Sequence, residues 1–337
     1  MKTLGILLIG MFIWNFATPV EAQCEGDGDI EYVCGPVNPE DLYAIPDSPW
    51  VIVSSMVDGG NLYVTDTRDH SSTVLFSTST TALTQPDRTL YGACPGPVTN
   101  EFRPHGINLR EGTNGMHTLY VVGHGARESV EVFEIDARAT VPTATWIGCV
   151  IAPEGTGLNS VAALPGDGFI ATNMQMASGE LWEWQPANGW SEVPGTKTAG
   201  PNGVEVSANG ETIFIGGWGT QSLIRVSRGR TPVQVDSVDV GFHIDNVRFA
   251  SDGSILAAGH IGATEESLFS CFTDRNCDEI RSRAVRVNPD TLEVNDLINH
   301  PSNDKFILGT VALEVGEELW MGGIVENDRI IRFPNKK

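Results

Sequence analysis

The chain has 337 residues, with 21 Lys plus Arg against 43 Asp plus Glu and a net charge of −22 at pH 7. With 41% apolar and 19% charged residues it carries enough core-forming material to exclude disorder as its main state. So acidic a chain lacks the clustered cations that nucleic acid requires and is repelled by anionic lipid, and its charge serves solubility.

Residues 1–22 read as a signal peptide. Lys2 supplies the positive start, the stretch from Leu4 to Trp14 the apolar core, and Val20 and Ala22 the positions before a cleavage point. Cutting there removes one Lys and one Glu, so the charge stays at −22. The apolar stretch is too short to span a membrane and no later run is long enough. A secreted or periplasmic protein without a membrane anchor is expected, with residues 23–337 as a single domain. In an oxidising compartment Cys24, Cys34, Cys94, Cys149, Cys271 and Cys277 form disulfides; a zinc site is disfavoured because no C-x-x-C pair exists. Six cysteines admit 15 pairings. Proximity favours Cys24–Cys34 and Cys271–Cys277, which leaves Cys94–Cys149.

From Glu40 onward an imperfect repeat organises the chain. Its units begin at Glu40 (EDLYAIPDSPWVIVSSM), His105 (HGINLREGTNGMHTLYVVGHG), Asn159 (NSVAALPGDGFIATNMQ), Asn202 (NGVEVSANGETIFIGGWG), Asp245 (DNVRFASDGSILAAGHIG) and Gly309 (GTVALEVGEELWMGGIV). Each has a short alternating strand, a turn rich in Gly, Asp, Asn or Pro, and a second strand ending in small residues. A third β-rich piece such as SVEVFEID or SLIRVS follows most of them. The starts lie 65, 54, 43, 43 and 64 residues apart. The 43-residue spacing matches a four-stranded propeller blade, and the larger gaps leave room for inserted loops. No segment sustains a helical apolar period past two turns. The pattern predicts an all-β, six-bladed β-propeller; a β-sandwich gives no reason for six repeats.

In a propeller the innermost strand of each blade lines the central channel, so the residues that open the repeats gather at the axis. These are Glu40-Asp41, His105, Asn159, Asn202, Asp245-Asn246 and Gly309. Carboxylate and amide oxygens without thiolate select a hard cation, and calcium accepts six to eight such ligands. A metal-containing channel is expected, with Glu40 and Asp245 neutralising the ion. Antiparallel pairing sets the end of a second strand beside the start of the first. His124 should therefore lie near His105, Trp218 near Asn202, and His260 near Asp245 and Asn246; His243 precedes Asp245 by two and points to the same side. Imidazole suits general-base work, which singles out His105 and His124. Trp218, Met174, Met176 and Phe242 predict an apolar wall, bordered by His243 and His260. His70, His117 and His300 fall in predicted loops, and no G-x-S-x-G nucleophile element is present.

The pair FRPHGINL and LYVVGHGARESVEVFEID resembles the signature of the paraoxonase/arylesterase family, calcium-dependent lactonases on six-bladed propellers. EDLYAIPDSPWVIVSS, LNSVAAL, PNGVEVSANGETIFI and HIDNVRFASDGSILAAGH are similar to other segments of that family, in the same order from Glu40 to His260. PNGV alone also occurs in the wider group of gluconolactonases and strictosidine-synthase-like proteins. The resemblance implies that Glu40, Asn159, Asn202, Asp245 and Asn246 ligate a catalytic calcium, with His105 as general base and His124 as its partner. It also implies that Asp41 serves a second, structural calcium, but the companion Asp of that site is here Ser160. The family's disulfide to a C-terminal Cys has no counterpart, since the last Cys is Cys277, so ring closure is expected to rest on strand pairing.

The expected function is a secreted, calcium-dependent hydrolase of lactones or aryl esters, in which water attacks a polarised carbonyl of a small-molecule substrate with a His base. A gluconolactonase-type sugar lactonase and a non-catalytic, calcium-stabilised binding propeller are the alternatives. Polarity around the channel mouth separates the first two, and turnover separates both from the third.

Overall fold

The computed structural model describes residues 24–79, 82–325 and 327–335, so the expected signal peptide lies outside the described residues. Within them the six repeats fold into six meandering sheets. Their innermost strands are Pro39–Ala44, Arg103–Arg110, Leu158–Ala163, Pro201–Val206, His243–Phe249 and Gly309–Val315, and the blades are numbered 1 to 6 in that order. Neighbouring innermost strands pack on one another around the axis, which makes the chain an all-β, six-bladed propeller.

Second strands such as Trp50–Ser55 (WVIVSS) are buried along their whole length, because each blade is covered on both faces by its neighbours. β-branched and aromatic side chains fill that environment best. Between blades 1, 2 and 3 lies the largest aromatic core, where Phe76 packs against Phe102 and Phe133, and Phe169 stacks on Trp184.

Blade 6 closes the ring. Its outermost strand is Glu31–Cys34, from the start of the described chain, paired antiparallel with Arg329–Pro334. Closure is therefore by strand pairing, and the nearby Cys24–Cys34 disulfide is local to that strand. The other disulfides are Cys94–Cys149 and Cys271–Cys277, the set that proximity favoured. Cys94–Cys149 fastens the long connection between blades 1 and 2 to the outer strand Thr143–Ile151 of blade 2. That strand also gains a short parallel partner, Leu83–Thr84, so blade 2 has five strands rather than the expected four.

The 64-residue gap after Asp245 holds a helix, α1 (Glu265–Asp274), inserted between the second and third strands of blade 5. Thr264 caps it in a reciprocal capping box with Ser267, and Glu265 and Glu266 sit favourably in its first turn. Leu268 and Cys271 bury its inner face, and the Cys271–Cys277 bridge ties its end to the returning chain. At ten residues it is too short for its apolar period to stand out in the sequence. His117 and His300, expected in loops, instead lie in the strands Met116–His124 and Val294–Pro301.

Candidate active site in the channel mouth

The side chains that open the repeats sit where the innermost strands leave regular pairing. In every blade the register between the first and second strands shifts at that point. The shift spans Glu40 in blade 1, His105-Gly106 in blade 2, Asn159-Ser160 in blade 3, Asn202-Gly203 in blade 4, Asp245-Asn246 in blade 5 and Thr310 in blade 6. A β-bulge leaves an unpaired residue and re-aims its side chain. Here six bulges turn polar groups into one channel. The glycine that follows His105 and Asn202 has a steric cause. A Cβ on Gly106 would lie 2.5 Å from the Asn159 carbonyl oxygen, and one on Gly203 would lie 2.6 Å from that of Asp245.

Glu40, His105, Asn159, Asn202 and Asp245 line a cavity of about 430 Å³ at the channel mouth, together with Met56, Met174, Met176, Trp218, Phe269, Phe272 and Ile324. Asn246 is buried just beneath, its Nδ2 donating to Glu40 Oε1 at 2.6 Å. Asn159 Nδ2 and Asn202 Nδ2 both point at the Met174 sulfur, at 3.3 and 3.7 Å. With their donors so engaged, these amides leave their oxygens free. Glu40 Oε2, Asn159 Oδ1, Asn202 Oδ1 and Asn246 Oδ1 are all buried without a hydrogen-bond donor. Buried acceptors are normally paired, and an orphan costs about 1–3 kcal/mol. Four in one region call for a positive charge.

The electrostatics point the same way. Burial, then the charges of Asp41 and Asp245, pushes the Glu40 carboxyl well above its ordinary range. Burial, then the Asp41 charge, pushes Asp245 up to about 8. Among the described residues no three His, Cys, Asp or Glu side chains group into a metal site. The set is two carboxylates and three carboxamides, an oxygen-only array that fits a hard cation rather than zinc or copper. Asp41 does not join it; its carboxylate accepts from the main-chain N–H of Leu42 and Ile107 and from Arg248.

Beside these oxygens stands a relay. His105 Nδ1 lies 2.9 Å from His124 Nε2, and His124 Nδ1 lies 2.8 Å from Glu128 Oε2. An ionised carboxylate only accepts, so Glu128 sets the tautomers: His124 donates from Nδ1, accepts at Nε2 from His105, and leaves His105 Nε2 with a lone pair. That nitrogen is 3.7 Å from Glu40 Oε1. Burial, the repulsion that two protonated rings would exert on each other, and the Arg103 charge hold the His105 pKa well below its usual value, so the ring is neutral at pH 7. The other Glu128 oxygen accepts from the Leu158 N–H at 2.6 Å, which anchors the relay on blade 3.

Of the expected wall residues, Trp218, Met174 and Met176 line the cavity. Phe242 does not: it is fully buried in the core of blades 4 and 5 beneath the Arg283 guanidinium. His243 and His260 also stand behind the wall. His243 stacks on Trp218 with centroids 4.2 Å apart and pairs with Glu265 of α1. His260 accepts the Trp218 indole N–H at 3.1 Å and donates to the Gly309 carbonyl at 3.1 Å; burial lowers its pKa to about 4, so this neutral bridge persists at pH 7. Together they fix the indole. Missed by sequence reasoning were Glu128, Met56, Ile324 and the α1 residues Phe269 and Phe272.

No protein-family model matches the chain, and no curated protein matches it in sequence. Solved structures do. A gluconolactonase candidate is 14% identical, covers 95% of this chain and 97% of its own, and superposes with a TM-score of 0.56. A luciferin-regenerating enzyme is 11% identical over 89% and 91% of the two chains, with a TM-score of 0.52. A virginiamycin B lyase from Staphylococcus aureus is 11% identical over 90% and 98%, with a TM-score of 0.51. At these identities the likeness establishes the propeller fold alone.

Proposed function

We propose that the protein is an exported, calcium-dependent hydrolase of apolar lactones or aryl esters, akin to the paraoxonase-like branch that its sequence resembles. The observation that carries this reading is the set of orphaned acceptors on blades 1, 3, 4 and 5, in or just beneath an apolar-walled cavity that His105 of the His105–His124–Glu128 relay also lines. Glu40, Asp245, Asn159, Asn202 and Asn246 would hold the ion. When bound, calcium supplies the positive charge that polarises a substrate carbonyl.

The remaining steps belong to the chain. His105 Nε2, neutral and facing the cavity, takes the proton of an attacking water. The charge that develops on its ring is delocalised through His124 toward Glu128, an acid that stays close without competing for the ion. Trp218, Met174, Phe269 and Phe272 exclude water and seat the apolar part of the ester. No covalent intermediate is required, in keeping with the absent nucleophile element.

A sugar lactone would find few polar partners on this wall, which favours the hydrophobic reading. The deciding experiment assays the purified protein, with calcium and with chelator, against alkyl-substituted lactones, phenyl acetate and gluconolactone. Calcium-dependent turnover of the first two classes is expected. Faster turnover of gluconolactone would move the assignment to a sugar lactonase, and no turnover of any would leave a binding propeller.

A further inference from the structure

A second cluster of buried charge occupies the channel beneath the mouth, and the proposed reaction does not use it. Its centre is Arg248, on the innermost strand of blade 5 and 1% exposed. The guanidinium donates to the Leu42 carbonyl at 3.0 Å, the Ile107 carbonyl at 2.8 Å, the Val247 carbonyl at 2.8 Å and Glu205 Oε1 at 3.3 Å, and it also binds Asp41 Oδ2. Its plane lies over the Tyr43 ring, 5.2 Å from the centroid. These partners come from blades 1, 2, 4 and 5.

The contrast with the mouth is chemical. There the acceptors are orphaned; here they are saturated. Asp41 Oδ1 accepts from Leu42 N and Oδ2 from Ile107 N and Arg248, while Glu205 accepts from Asn108 as well. Ser160, at the position where the resemblance implies a second acidic ligand, is turned aside to accept from the Val204 N–H of blade 4. The residues present do not fit a second metal at Asp41.

We propose that the Arg248 guanidinium is a built-in cation that takes the place of a second, structural metal and joins the inner strands of the propeller without one. A guanidinium stays charged at any physiological pH and spreads its donors in a plane, so it satisfies several fixed oxygens at once. The lower channel is then indifferent to chelators, and only the mouth responds to them. This inference is independent of the hydrolase reading.

The test counts calcium retained per chain after dialysis against micromolar calcium, in wild type and in Arg248→Ser, and records thermal midpoints in chelator. The wild type is expected to retain one ion. A count of none also supports the built-in cation, while removing the calcium reading of the mouth. Two ions, the second lost in Asp41→Asn, would overturn it. Arg248→Ser frees Asp41, Glu205 and the Leu42 and Ile107 carbonyls of blades 1 and 2; it is expected to take up one ion more than wild type and, in chelator, to melt about 10 °C lower. No added ion, or an unchanged midpoint, counts against the proposal. If Arg248→Ser does not fold, the wild-type count still decides, together with Arg248→Lys. That variant keeps the charge without the planar fork and should melt between wild type and unfolded; a wild-type midpoint for it speaks against the role given to the fork.

Discussion

Glu128 reaches His105 only through His124, and it orders both rings: its carboxylate accepts from His124 Nδ1 at 2.8 Å, and the His124 Nε2 that this leaves lies 2.9 Å from His105 Nδ1. Removing the base itself, as in His105→Gln, should lower lactone turnover by about 10² to 10⁴-fold. Glu128→Gln can donate to His124 and invert the tautomers, which takes the lone pair from His105 Nε2. A loss of about 10-fold or more is expected, the usual cost of an outer partner to a functional His. Glu128→Asp should recover part of it. The fall should appear in kcat with KM little changed, and an acid limb of the pH–rate profile should shift. Equal kcat in wild type and Glu128→Gln would show that the relay ends at His124.

Calcium binding should release protons. Burial and the Asp41 charge push Asp245 up to about 8, and Glu40 is raised as well, so the metal-free site near pH 7 holds at least one proton that the ion must displace. Apparent affinity should fall as pH drops below 8, by about tenfold per pH unit for each proton displaced. Calorimetric titration at pH 7 in two buffers of unlike ionisation enthalpy should give unlike heats; identical heats contradict the argument. In chelator the same shift acts on the fold. A carboxyl whose folded pKa is raised contributes stability that is lost as pH rises through that value, so the chelated protein should melt lower at pH 9 than at pH 7.

The helix α1 should set acyl preference. Phe269 and Phe272 close the cavity from one side, and Phe269 is half exposed at its rim. Each substrate methylene that reaches this wall favours binding by about 0.8 kcal/mol, or about fourfold in kcat/KM. A series of lactones with lengthening alkyl chains should rise accordingly in wild type and flatten in Phe272→Ser. Parallel slopes in the two proteins would remove α1 from the substrate site.

Trp218 depends on His260 for its place. His260→Leu leaves the indole N–H and the Gly309 carbonyl without partners, at about 1–3 kcal/mol for each buried orphan. A lowered thermal midpoint and a raised KM for apolar esters are expected, with calcium still bound. His260→Leu with unchanged KM would show that stacking on His243 suffices to hold the indole.

The periodic part of the molecule was legible because alternation and turn residues repeat in each blade. The site residues at the repeat openings shared that position, which made Glu40, His105, Asn159, Asn202 and Asp245 visible as a set. The bulges that aim them were not visible, since they depend on how a strand meets its neighbour rather than on side-chain type. Phe242 sits at a strand end that the repeat directs toward the mouth, yet it lies one residue before the strand His243–Phe249 and its ring packs into the core of blades 4 and 5. Arg248 did leave a trace: a charge set among Val247, Phe249 and Ala250 on a strand of the inner ring. Glu128 left one too, an acid four residues after His124 in the turn that follows its strand. The α1 residues lie outside the repeat, where the pattern has nothing to say.

The strand Glu31–Cys34 finds its partner some three hundred positions away, at Arg329–Pro334. During synthesis that early segment emerges long before the residues it must meet, and it waits as an unpaired edge while five other sheets take shape. Contacts so distant along the chain form late and slowly. The open ring is therefore the intermediate most exposed to unwanted pairing with a second copy. Loss of the strand Glu31–Cys34 should leave blades 1 to 5 able to form and blade 6 one strand short, yet yield a protein that associates rather than one that fails to acquire β-structure.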